Sequence, residues 1–357
     1  MTDRAVDERL RPQTPLRWAI AGAGTISRSI VPDLQLLPGN HVEIIFSRNS
    51  AKAARFAEEF GLDRWTDDFD SLVRDPGVDV LYLATPFATH AAMARQALLA
   101  GKHVVVEKPM ALNADEVQEL FALAESQGLF LMEAMWMKFN PAFQHLFELL
   151  NSGIIGKPSS LRAGFGFPLI ADGGSRWDIA RSGGTLLDQG IYPVTLAHSI
   201  FGEPTAITAQ GRLRDDGLDF AEHFTLDFPG GEFAQCASSM TEFVDPSAAI
   251  SGGKGWITIP GMFWTSTTLQ IHAGSWEEMF APEPIDHLRE GNGYVPMLRA
   301  ANEAIQIGAI QHPIHPAKDT IAVFRTLDTI ASRVRASAGS APDALDDETN
   351  HALPGFV

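Results

Sequence analysis

Up to about residue 135 the apolar positions fall in short unbroken runs, each followed by a stretch of helical periodicity. The runs lie at 17–21, 42–46, 78–84, 103–106 and 129–134. Unbroken apolar runs of this length read as strands covered on both faces. Between them the spacing predicts helices from Thr25 to about 37, over 51–60, over 67–74, over 89–99, and from an Asn113 cap to 127. Gly61 and Gly101 sit where left-handed helix ends would fall. Strands alternating with helices at this interval predict an α/β class with a doubly wound parallel sheet.

The pattern changes after Met135. A connecting helix is predicted over 140–151, followed by longer, more alternating segments at 160–167, 205–213, 220–228, 232–239 and 256–259. Pro229-Gly230-Gly231 between two of these is a hairpin turn signal. Helical periodicity returns at 295–308 and 317–336. The expectation is a second α/β domain over 136–338, its sheet largely antiparallel with one face open. A polar arm at 1–14 and an Ala/Asp-rich acidic tail at 339–357 would flank domains at 15–135 and 136–338.

Composition narrows the partners. A net charge of −17 over 357 residues disfavours nucleic acid and anionic membrane surfaces, because phosphate binding needs a basic face. The lone Cys236 excludes an internal disulfide and a thiol-rich metal site. No His/Cys/Asp/Glu cluster has metal-ligand spacing, and His312 and His315, beside Pro313 and Pro316, read as loop residues. The first residues lack the apolar core of a secretory signal, and no run is long enough to span a bilayer. The expected location is cytoplasmic.

The first strand ends in Gly22-Ala23-Gly24-Thr25-Ile26-Ser27, framed by strand, helix and strand. In that context Gly22 permits a tight turn and Gly24 a close approach of pyrophosphate, held by the N–H groups of the helix that follows. Ser27 stands where Gly or Ala is usual. The second strand ends in Ser47-Arg48-Asn49, with Lys52 one turn on and no carboxylate to hold a ribose 2′-hydroxyl. A hydroxyl and a guanidinium suit a 2′-phosphate instead, which predicts NADP. Ligands in open α/β sheets sit beyond the carboxyl ends of the strands. Two further strand ends therefore stand out: Thr85-Pro86, with His90 one turn into the next helix, and Glu107-Lys108-Pro109, where proline holds Lys108 extended. A third segment runs from Gly183-Gly184 through Asp188 to Tyr192-Pro193. Its glycines can admit a close ligand, and Asp188 and Tyr192 share a face if it is helical. Pro193 can kink or restart that helix.

Together these segments resemble the glucose–fructose oxidoreductase/inositol dehydrogenase/rhizopine catabolism (Gfo/Idh/MocA) family, from Leu16 to about Ala336. Tyr192, Glu133-Ala134-Met135-Trp136, Phe139-Asn140-Pro141 and Ser175-Arg176-Trp177 resemble its dihydrodiol dehydrogenase and NADP-dependent xylose dehydrogenase branch. The resemblance implies a Rossmann domain, a second domain whose open sheet makes a homodimer, a cis Lys108–Pro109 bond, and hydride transfer between nicotinamide and a sugar or diol. Phe87 departs from the Asn that many members carry after Thr-Pro. The resemblance assigns catalysis to Lys108, Asp188 and Tyr192. Gly22, Gly24, Thr25, Ile26, Ser47, Arg48, Lys52, Thr85, Pro86, His90, Glu107 and Lys108 would then hold the cofactor. Trp136, Arg176, Trp177 and Asp188 would wall a polyol or sugar. Tyr192 as general base needs a cation to favour its phenolate, and Lys108 could supply it. In the other division Lys108 carries the proton and Tyr192 hydrogen-bonds. A carbonyl reductase of keto sugars or dicarbonyls, or a non-catalytic NADP(H) sensor, are the competing functions. Specificity is expected in loops around 165–182 and 240–300.

Overall fold

The computed structural model describes residues 15–170 and 175–338, so the arm at 1–14 and the tail at 339–357 lie outside the described residues. The first half runs β1 (Leu16–Ala21), α1 (Thr25–Gln35), β2 (Asn40–Phe46), α2 (Ser50–Phe60), β3 (Arg64–Thr66), α3 (Phe69–Arg74), β4 (Val80–Leu83), α4 (His90–Leu99), β5 (His103–Glu107), α5 (Ala114–Gln127) and β6 (Leu131–Ala134). Its six strands are parallel in the order β3-β2-β1-β4-β5-β6. The order reverses between β1 and β4, which opens a crevice at the carboxyl ends of those strands. All four residues of β4 and of β6 are buried, as helices on both faces require. Asn113 caps α5, its side chain accepting the Glu116 N–H at 2.9 Å. α2 ends on Gly61 and α5 on Gly128, both left-handed.

The second half contains α6 (Pro141–Ser152), β7 (Pro158–Gly166), α7 (Ile179–Ser182), α8 (Ile191–Phe201), β8 (Ala206–Leu213), β9 (Asp219–Asp227), β10 (Phe233–Ser239), β11 (Ala248–Gly252), β12 (Gly255–Ile259), β13 (Thr268–Ala273), α9 (Trp276–Phe280), β14 (Pro284–Asp286), α10 (Val295–Gln306) and α11 (Ala317–Ala338). Eight strands form one sheet, β14-β13-β12-β11-β7-β10-β9-β8, antiparallel except for the β7–β10 pair. Alternating exposure along β8 and β10 leaves one face of this sheet to solvent. The Pro229-Gly230-Gly231 turn joins β9 to β10, closed by the Phe228 N–H on the Glu232 carbonyl at 2.9 Å.

Strands β3, β11, β13 and β14 are additions to the elements read from the sequence. They are short or half-exposed, and the sheet pairing that fixes them is long-range. The two halves are tied by buried polar contacts. The Asp33 carboxylate in α1 accepts the N–H groups of Asn292 at 2.8 Å and Tyr294 at 2.9 Å. In α11, Asp328 accepts the Ala114 N–H at the start of α5 at 2.9 Å. The crevice between the sheets is thereby held at a set width.

Candidate active site

The turn after β1 is shaped for an anion that the protein itself does not supply. Gly22 has φ +115°, and a Cβ there would lie 2.2 Å from the Ala84 carbonyl oxygen. Only glycine fits between the ends of β1 and β4. Gly24 is different. A Cβ added to it would meet nothing within 4 Å, so its open side is the cradle where a pyrophosphate can approach the start of α1. Ser27 is buried, and its hydroxyl donates to the Gly22 carbonyl, so the serine at the third position ties helix to turn. Thr25 and Ile26 are exposed on the first turn of α1. At the end of β2, Ser47 is half-buried while Arg48 and Lys52 are exposed around the start of α2. Asn49 caps that helix by accepting the Lys52 N–H at 2.9 Å. These features fit a nicotinamide dinucleotide.

Lys108 is the centre of the second cluster. β5 delivers it, and the Lys108–Pro109 bond is cis. Its Nζ donates to Asp188 Oδ1 at 3.0 Å and to the Asp188 carbonyl at 2.8 Å. It also lies 4.9 Å from the centroid of the Tyr192 ring and 5.7 Å from that of Phe87. Arg176 Nε donates to the other oxygen of Asp188 at 2.6 Å. Burial opposes ionisation of Asp188, but Lys108 and Arg176 outweigh it and hold its carboxyl at about 2. The Asp188 carboxyl is therefore ionised across the neutral pH range.

Tyr192 is buried beside it. Its hydroxyl oxygen accepts the Trp136 indole N–H at 2.9 Å, and Trp136 stacks on Tyr294 with ring centroids 4.7 Å apart. Burial pushes the Tyr192 hydroxyl well up from its ordinary pKa, and the carboxylates of Glu107 and Asp188 push it further. The ammonium lies over the ring face and is paired to Asp188, so the phenol stays protonated.

Other expected site residues lie behind the front of the crevice. His90 is fully buried, with Nδ1 2.8 Å from the Pro109 carbonyl and Nε2 2.8 Å from the Thr85 carbonyl. Each ring nitrogen lies against a carbonyl oxygen; the ring, which burial keeps neutral, donates to one of them and sits between the β4 and β5 turns. Thr85 and Pro86 line the crevice edge half-buried. Glu107 is buried and accepts the Tyr82 hydroxyl and, at 3.2 Å, the Lys108 N–H. Burial pushes its carboxyl up to about 7 against those bonds. Trp177 is half-buried. It packs against the cluster of Phe220, Ala221 and Met240, and its N–H donates to the Ile170 carbonyl at 2.9 Å.

Sequence reasoning did not find the groups that arrive from far along the chain. Phe165 and Trp264 stack at 3.5 Å between centroids and lie 5.8 and 5.9 Å from the Tyr192 ring. Glu133 accepts the Met110 N–H at 3.1 Å and pairs with His315 Nε2 at 3.0 Å, which steadies the turn carrying Lys108. His315 lies in the loop between α10 and α11, as expected, but is buried there against Glu133. No periodicity signals a partner 182 residues away.

Fold and site define a nicotinamide-dependent oxidoreductase. Residues 16–135 match the oxidoreductase family with an NAD-binding Rossmann fold, and residues 143–258 match the Gfo/Idh/MocA C-terminal domain. The chain belongs to the Gfo/Idh/MocA family. It is 35% identical to a trans-1,2-dihydrobenzene-1,2-diol dehydrogenase of Mus musculus over 85% of this chain and 92% of that one. Among solved structures, it is similar to an aldose–aldose oxidoreductase from Caulobacter crescentus complexed with glycerol. The TM-score is 0.80 and the identity 26%, over 90% and 98% of the two chains. A 3-ketoreductase from Actinomadura kijaniata, solved with NADP and TDP-benzene, is similar at TM-score 0.79 and 26% identity, over 89% and 98%. The chain is a dehydrogenase of this family. No helix among the described residues is long and apolar enough to cross a membrane.

Proposed function

We propose that the protein is an NADP-dependent dehydrogenase of a sugar or diol, with the Lys108–Asp188–Tyr192 cluster as its reacting centre. The observation that carries this reading is the Lys108 ammonium, held by two bonds to Asp188 at the carboxyl end of β5, the strand next to β4. Two of its three N–H bonds are used, which leaves one for a substrate oxygen. When bound, the nicotinamide supplies the hydride acceptor or donor. In the reducing direction, the Tyr192 O–H gives its proton to the substrate oxygen, and the Trp136 N–H hydrogen-bonds the phenolate left behind. Oxidation is the reverse: the phenolate takes the hydroxyl proton. Lys108 stabilises the negative charge developing on the substrate oxygen in both directions.

Ser47, Arg48 and Lys52 would hold the 2′-phosphate of NADP, since the end of β2 offers a hydroxyl and two cations and no carboxylate. Trp136, Phe165 and Trp264 offer aromatic faces beside Tyr192, which suit the apolar side of a sugar ring or a cyclic diol. The exposed face of the second sheet, bearing Thr208, Gln210, His223 and Gln235, supports assembly as a homodimer. Light scattering of the purified protein tests this. The location is read as cytoplasmic.

The protonated Tyr192 favours a second reading, reduction of a keto sugar or dicarbonyl with NADPH, because a neutral phenol is a ready proton donor to a carbonyl. Following the absorbance of reduced nicotinamide with purified protein separates the two. Turnover of dihydrodiols or aldoses with NADP supports the first. Silence there with consumption of NADPH by carbonyl compounds supports the second. No turnover in either direction overturns both.

A further inference from the structure

The helix that carries Asp188 and Tyr192 begins without a capping group of its own. A π-helical turn at Leu186–Gly190 runs directly into α8, and no side chain from its own start caps it. Its first N–H groups lack intrahelical partners and need an acceptor. That acceptor comes from β9. Asp219 Oδ2 takes the Leu186 N–H at 2.7 Å, and the Thr185 N–H also bonds this carboxylate. Gly184, with φ +94°, is what lets it in: a Cβ there would lie 1.7 Å from Asp219 Oδ1. The far end of the turn rests on the same sheet. A Cβ on Gly190 would lie 2.9 Å from Ser238 Oγ and 3.2 Å from Glu222 Oε1, and Ser238 donates to Glu222. Of the two glycines read from the sequence as room for a ligand, Gly184 faces the Asp219 carboxyl group and Gly183 the Leu187 and Leu112 side chains.

We propose that Asp219 is a positioning residue for the reaction, fixing the π-turn so that Asp188 meets Lys108. The inference rests on the reading of Lys108 and Asp188 as the reacting centre. A negative group at a helix start also favours the dipole of that helix, so the turn is held by hydrogen bond and charge together. Freed from Asp219, the turn can unwind toward ordinary α-helical register, which rotates Asp188 away from Lys108. A displacement of about 1 Å at a reacting group is enough to cost about 100-fold in rate.

The test compares Asp219→Ala and Asp219→Asn with Lys108→Ala, using steady-state turnover and fluorescence titration of NADPH. Asp219→Ala is expected to lower kcat by about 10- to 100-fold, with the NADPH Kd within about twofold of wild type. Asp219→Asn keeps an oxygen acceptor for the Leu186 N–H but loses the charge, and is expected to recover only part of that loss, leaving kcat about two- to fivefold below wild type. A kcat for Asp219→Ala within about twofold of wild type, while Lys108→Ala is inactive, overturns the positioning role and leaves the proposed function standing. An active Lys108→Ala overturns the proposed function itself. Should Asp219→Ala fail to fold, Asp219→Asn decides. A fall in kcat of about two- to fivefold at unchanged NADPH Kd supports the role, and an unchanged kcat restricts Asp219 to folding and overturns it.

Discussion

Two glycine-rich turns start the two helices that face the crevice, and they are built to opposite ends. At Gly24 the space beside the helix start is empty of protein to 4 Å, and the free N–H groups of α1 await an anion. At Gly184 the same kind of space is filled by Asp219, and the helix start is already satisfied. Both use glycine to let a negative group close to a backbone. One group belongs to a diffusing ligand and can leave; the other is covalently part of β9 and cannot. The first turn leaves its helix start open, and the second has its helix start bonded by the protein itself. Lys108 meets the helix of the second turn through Asp188.

Removing the group that meets the second turn should have the largest effect. Lys108→Ala is expected to lower turnover by at least ~100-fold while NADPH still binds, on the scale of acid–base and electrostatic contributions. Turnover near wild type in that variant would break the assignment. Next, the open turn can be made to resemble the filled one. Gly24→Asp places a carboxylate where the pyrophosphate is expected, and because nothing lies within 4 Å the fold should tolerate it. The NADPH Kd should rise about 100-fold with little change in Tm, from like-charge repulsion in a partly enclosed site. Unaltered NADPH affinity would show that the turn does not hold phosphate. Smaller again is Arg48→Ala. It should weaken NADPH by about 10- to 30-fold and leave NADH nearly untouched, the worth of charge-assisted bonds to one phosphate. Equal weakening of both cofactors would reject the 2′-phosphate contact.

The smallest effect on the reaction lies behind both turns, at Glu107. Unfolded, its carboxyl titrates near its ordinary 4.5; folded, burial holds it at about 7. Between those values the unfolded chain has released a proton that the folded chain keeps, so stability falls as pH rises through that window. Glu107→Gln does not titrate. Wild type should therefore lose up to about 3 kcal/mol relative to Glu107→Gln between pH 4.5 and 7, with the loss complete above pH 7. Parallel unfolding curves for the two proteins as a function of pH would contradict the buried, protonated carboxyl.

Much of this was legible in the chain itself. The unbroken apolar runs specify strands buried on both faces, and the helices between them leave a doubly wound sheet as the arrangement that covers both. Gly22 and Gly24 are readable because their work is local: strand, turn and helix are contiguous, and the backbone freedom they supply is a property of the residue. Asn113 and Gly61 are readable for the same reason, as end signals for helices adjoining them. Lys108 is placed by its position at a strand end before proline, and the resemblance of its surroundings to a family singles it out.

Only the tertiary structure decided what each polar group faces. His90 stands in a motif beside the crevice, yet each of its nitrogens lies against a carbonyl oxygen, because packing of α4 against the β5 turn buries it. Tyr192 could be base or acid by sequence; a protonated phenol follows from its burial and from an ammonium placed over its ring, beyond reach of its oxygen. Trp177 packs over the cluster of Phe220, Ala221 and Met240, while Phe165, not singled out in the sequence, lies beside Tyr192. Gly184 could not declare whether its neighbour would be a ligand or Asp219, 35 residues on in the numbering. Local conformation follows from neighbours in the chain, but hydrogen bonds and desolvation depend on neighbours in space, and in this fold those come from strands far apart in sequence.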